Sequence, residues 1–125
     1  MLTVVIHIRK EENRKRYSDI DVENLPFDLV TLGAFKDPML YSDFYYSGKQ
    51  MPIHEHVKLL LDSGYIGDHG IWVTVRMKDS ANLKTDLDGL KVVSKIGQVY
   101  GCLINFSAWV ELLKDENALN IEYSS

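Results

Sequence analysis

Four histidines and a single cysteine are the residues of this 125-residue chain with the widest chemical reach, and His54, His56 and His69 fall within one short stretch. The triplet His54-Glu55-His56 sets two imidazoles two positions apart. On a β-strand both would face one side and could grip a transition metal, with His69, His7 or Asp68 completing the set. Pro52, however, suits the first turn of a helix, for which Val57, Leu60 and Leu61 form an apolar face and Ser63-Gly64 a stop. Residues two apart on a helix point about 200° away from each other. The pair then cannot hold one ion, and the expectation is no metal and no other cofactor.

Cys102 lies in the apolar run of residues 99–104, where burial raises a thiol pKa and suppresses the reactive thiolate. Serine-hydrolase elbow, zinc-protease, phosphate-loop and dinucleotide-binding motifs do not occur in the sequence. The eighteen acidic residues offer many carboxylate pairs, and no spacing marks two of them as acid and base. The chain therefore reads as non-catalytic. The alternative is a small enzyme or ligand-binding domain whose pocket includes His54, His56 or His69.

Charge points toward binding. The net charge is −4, which does not favour a nucleic-acid backbone or an anionic membrane as partner. Residues 9–16 carry five basic side chains, but Glu11 and Glu12 interrupt them and no aromatic residue among them could stack on a base. From residue 17 to 47 the sign reverses, with six acidic residues against Lys36 alone. Tyrosines recur in the same stretch. Tyr17, Tyr41, Tyr45 and Tyr46 with Asp19, Asp21, Glu23 and Asp43 combine large amphipathic rings with carboxylates that steer and orient a basic partner. These eight residues are the expected partner-binding surface.

Asp19-Ile20-Asp21, Trp109-x-Glu111-Leu112 and Ile121-Glu122-Tyr123 together resemble segments of the small bacterial immunity proteins of polymorphic and contact-dependent toxin systems. The resemblance implies an antitoxin-like inhibitor that neutralises a basic protein, such as a toxin nuclease, through a charge-complementary face. A structural subunit is a further alternative, in which Trp72 and the edge of the last strand pair with another chain, including a second copy of this one.

The elements that must position these residues follow from composition and periodicity. With 46% hydrophobic and 26% charged residues, the chain has the balance of a globular protein long enough to bury a core without disulfides. The expectation is one domain over residues 1–125, of α+β class, with a mostly antiparallel sheet packed against two or three helices. One cysteine favours a reducing compartment, and residues 2–8 fit neither a signal peptide nor a membrane span, so a cytoplasmic location is expected.

Alternation of Leu2, Val4, Ile6 and Ile8 predicts an opening strand, followed by a long turn or irregular helix over residues 10–26. Short strands are predicted over residues 27–35 and 41–46, and a helix from Pro52 to Ser63. Ile71, Val73, Val75 and Met77 alternate as the clearest strand, leaving Trp72, Thr74 and Arg76 on a partly wet face. Residues 90–104 admit either a helix or a hairpin turning at Ile96-Gly97-Gln98. Ser107 is expected to cap a helix running to Lys114, with Leu119, Ile121 and Tyr123 in a closing strand.

Overall fold

A computed structural model describes residues 2–22, 24–40 and 51–124. It is an α+β structure with four helices and one four-stranded antiparallel sheet among the described residues. The chain forms two compact units, Met1–Asp68 and His69–Ser125.

The first unit opens with helix α1, Leu2–Arg16. The predicted strand over residues 2–8 is thus replaced by helix, and residues 10–16, expected to lie in a long turn or an irregular helix, continue it. An isolated β-branched segment leaves its backbone groups without partners, whereas a helix satisfies most of its own. Local charge supports it: Arg14 bonds Glu11 one turn back, and Arg14, Lys15 and Arg16 complement the negative C-terminal end. Its tertiary anchor is a carboxylate. Arg9 and Asn13, spaced i and i+4, both reach Asp37, which no extended conformation of residues 9–13 would permit.

Helix α2, Leu29–Ala34, stands where a strand over residues 27–35 was expected. Asp28 caps it, its side chain accepting the Thr31 N–H at 2.8 Å. Leu32 and Phe35 turn inward while Leu29 and Val30 stay exposed, so the apolar composition of this segment overstates its burial. The predicted strand over residues 41–46 lies outside the described residues.

Helix α3, Ile53–Asp62, matches expectation, with Pro52 at its N-cap and Val57, Leu60 and Leu61 buried. It ends at Ser63, and Gly64 follows in the left-handed region at φ +78°. A Cβ there would lie 2.2 Å from the Lys10 carbonyl oxygen of α1, so the close passage of α1 over this turn requires glycine. Residues 35–37 and 65–67 meet as a minimal antiparallel bridge, with Asp37 N–H donating to Tyr65 O and Gly67 N–H to Phe35 O.

The second unit is the sheet with one helix. Strands β1 (Ile71–Met77), β2 (Leu90–Ile96), β3 (Val99–Ile104) and β4 (Ala118–Tyr123) are ordered β2-β3-β1-β4, every neighbour antiparallel. Ile71, Val73, Val75 and Met77 are buried, and Trp72 on the other face is 52% exposed. Residues 90–104 adopt the hairpin. Gly97, at φ +60°, makes the two-residue turn with Gln98, a geometry that few other residues adopt readily. Helix α4, Phe106–Lys114, packs on β3 and β4 and buries Trp109 and Leu112. Its cap is Asn105, not Ser107: the Asn105 side chain accepts the Ala108 N–H at 2.9 Å. No described helix is long and apolar enough to cross a membrane.

Candidate functional site

The first unit contains an open cleft of about 1170 Å³ lined by α1, residues 17–22, Asn24 and α3. Each helix contributes one stripe. On α1 the lining residues are Glu11, Arg14 and Lys15, and on α3 they are His54, Glu55, Lys58, Leu61 and Asp62, the i, i+3, i+4 spacings of a single helix face. Asp21 enters from the connecting segment. The lining thus carries four carboxylates against three cations, and Arg14 is already paired with Glu11.

Tyr17 on one side of this wall and Leu25 and Phe27 on the other are each fixed by contacts. Tyr17, only 3% exposed, donates its hydroxyl hydrogen to the Gly67 carbonyl at 2.8 Å. Burial, with smaller opposing effects of Arg16 and Asp68, pushes the Tyr17 phenol up to about 12. At the other end, His54 Nε2 lies 2.9 Å from the Leu25 carbonyl oxygen, and the His54 ring meets Phe27 edge-on at 6.1 Å. A carbonyl oxygen can only accept, so Nε2 carries the hydrogen. His54 therefore fastens one wall of the cleft to α3.

The histidines expected as a group are separated. His54 lines the cleft, whereas His56 is buried in the first unit, where desolvation and then the charge of Lys36 lower its pKa. His69 belongs to the second unit. Among the described residues no three His, Cys, Asp or Glu side chains form a group able to hold a metal ion. Cys102 is fully buried and its thiol pKa is raised by desolvation.

Of the expected partner-binding surface, Tyr17 and Asp21 meet in the cleft, and Asp19 is exposed beside them in sequence. Tyr17 serves mainly as a packing residue, its ring turned inward. Glu23, Tyr41, Asp43, Tyr45 and Tyr46 lie outside the described residues. Glu55, Lys58 and Asp62 were not singled out from sequence; they follow from the helical stripe that begins at His54 once α3 is recognised. Asp37 was also missed as a structural centre. It is fully buried, and burial alone would raise its pKa, but hydrogen bonds from Arg9, Asn13 and the Met39 N–H, with the Arg9 charge, together hold the carboxyl below the usual range.

The chain matches no known protein family, no curated protein and no solved structure.

Proposed function

We propose that this protein acts by binding, as an inhibitor of the immunity type, and that the cleft of the first unit receives a basic segment of its protein partner. The observation that carries this reading is the convergence of Asp21 with Glu55 and Asp62 in one concavity, where, with Arg14 paired to Glu11, they outnumber Lys15 and Lys58. Carboxylates grouped around a recess attract a basic partner over several ångströms and then fix its register. Size supports a polypeptide over a small ligand. Pockets for small molecules are about 300–1,000 Å³, whereas this cleft is open, slightly larger at about 1170 Å³, and reached by charged side chains from both helices.

An enzyme reading draws less support. His54 Nε2 is engaged by the Leu25 carbonyl, and Cys102 is held as a buried thiol. His54, His56 and His69 do not share the cleft. A protein of this kind would work in the cytoplasm, where a single cysteine stays reduced.

The test is to capture the partner from the native cell and to measure its association with wild type, Asp21→Lys, Glu55→Lys and Asp62→Lys. The expected result is a basic partner whose association slows about tenfold or more in the triple variant at low salt, with the difference shrinking as salt rises. Association rates unchanged by the triple reversal would remove the cleft as the binding surface.

A further inference from the structure

The order β2-β3-β1-β4 leaves β2 and β4 as the edges of the described sheet. Because every neighbouring pair is antiparallel, β2 and β4 run in opposite directions. A second copy displaced sideways along the sheet therefore brings its β2 antiparallel to β4 of the first. Edge strands present rows of backbone N–H and C=O groups that such a neighbour can pair.

Side chains on the two edges match in this arrangement. Lys91 pairs across β3 Leu103 with Trp72, so it lies on the Trp72 face; Glu122 pairs with Thr74 and lies on that face too. Val92 and Leu90 share the opposite face with Val73 and Ile71, as do Ile121 and Tyr123 through Val75 and Val73. Setting Lys91 opposite Glu122 thus also sets Val92 opposite Ile121 and Leu90 opposite Tyr123. Charge meets opposite charge, apolar meets apolar, and both faces of the sheet continue in register. Two-fold pairings lack this match. Two β2 edges would offer no acidic residue to Lys91, and β4 offers no basic residue to a second Glu122.

We infer that the chain self-associates head to tail, the β2 edge of one copy adding to the β4 edge of the next through Lys91 and Glu122. The contact uses two different surfaces of each copy, so it does not close at a dimer. It is also short. Irregular register at Val92/Ser94 on β2 and beside Ala118 on β4 confines regular pairing to residues 90–92 and 121–123. Association is accordingly weak and concentration-dependent. It is independent of the cleft, which none of these residues lines.

Sedimentation equilibrium of the full chain at low salt, from about 10 μM to about 1 mM, tests the inference. The mean mass of wild type should rise by about half or more over that range without levelling at a dimer. Lys91→Glu and Glu122→Lys should each remain monomeric, while an equimolar mixture of the two should recover the rise, because each altered edge then meets an opposite charge. Hydrogen exchange at Val92, Ile121 and Tyr123, whose amides face the open edges, should slow with concentration in wild type and in the mixture. A wild type that stays monomeric, a plateau at dimer, a rise unaffected by either substitution, or a mixture that fails to recover would each overturn it. Both side chains are exposed, so circular dichroism of the variants should match wild type.

Discussion

Arg9 Nε donates to Asp37 Oδ2 at 2.6 Å, joining the middle of α1 to a carboxylate that has no solvent exposure at all. Asn13, one helical turn on, donates to the same oxygen at 2.8 Å and to the Gly64 carbonyl at 2.9 Å. Asp37 in turn accepts the Met39 N–H through Oδ1. One buried carboxylate thereby ties α1, the end of α2 and the turn after α3 into the first unit, and it holds in place the helices whose stripes form the cleft.

Replacing Arg9 by Met should destabilise the protein, because the buried Asp37 carboxylate keeps only neutral donors. Breaking a fully buried pair costs about 3–5 kcal/mol, but the Arg9 side chain is 35% exposed, so a loss of about 2–3 kcal/mol is expected. Urea denaturation measures it. Arg9→Lys should recover part of the loss, since an ammonium restores the charge without the planar fork. A midpoint equal to wild type in Arg9→Met would show that the pair contributes nothing to stability.

Gly64→Ala should cost about 2 kcal/mol or more, since it combines a left-handed backbone with a clash against the Lys10 carbonyl. Gly97 also has positive φ but faces open space. Gly97→Asn, a residue that tolerates this conformation, should therefore stay within about 0.5 kcal/mol of wild type. Thermal melts of the two variants separate close approach from backbone conformation.

Acid should weaken the fold in two stages. The pKa of His56 is lower in the folded protein than in the unfolded chain, so its contribution is complete above about 6.5 and begins to fade as pH falls below that value. Asp37 is also depressed, so its contribution persists to lower pH and is lost below about 3.9 as the folded carboxyl takes up its proton. Stability measured against pH should show both stages in wild type, and His56→Leu should remove the first. Retention of the first stage in that variant would assign it to another group.

Tyr17→Phe keeps the buried ring but removes the hydroxyl bonded to Gly67, at a cost of about 1 kcal/mol. The Tyr17 phenol is raised to about 12, so its contribution is complete below about 10 and is lost as pH climbs toward the folded value. Ultraviolet titration of wild type should show a tyrosine component ionising at about 12, and this component should be missing from the variant.

The legible parts of the sequence were those in which neighbouring residues settle the matter. Ile71, Val73, Val75 and Met77 announce a strand because alternate side chains fall on one face, and the register confirms their common burial. The helix after Pro52 was legible for the same reason, and its periodicity correctly parted His54 from His56. Residues 2–8 misled because alternate β-branched residues in a short segment suit a strand, and the sequence does not reveal whether a pairing partner exists. Residues 27–35 misled because a short apolar run suits a buried strand as well as a helix, and the bond from the Thr31 N–H to Asp28 shows only in the fold.

By itself, then, the sequence determined the α+β class, the strand from Ile71 to Met77, and the helix after Pro52 on which His54 and His56 point apart. These depend on periodicity and on side-chain chemistry within a few residues. Only the tertiary structure decided that residues 2–16 are helical, that residues 90–104 form a hairpin, and that Tyr17 turns inward while Asp21 joins Glu55 and Asp62. Those outcomes rest on partners far away in the chain. Asp37 lies 28 residues from Arg9 and Gly67 lies 50 from Tyr17, and no local pattern encodes a hydrogen bond across such a span.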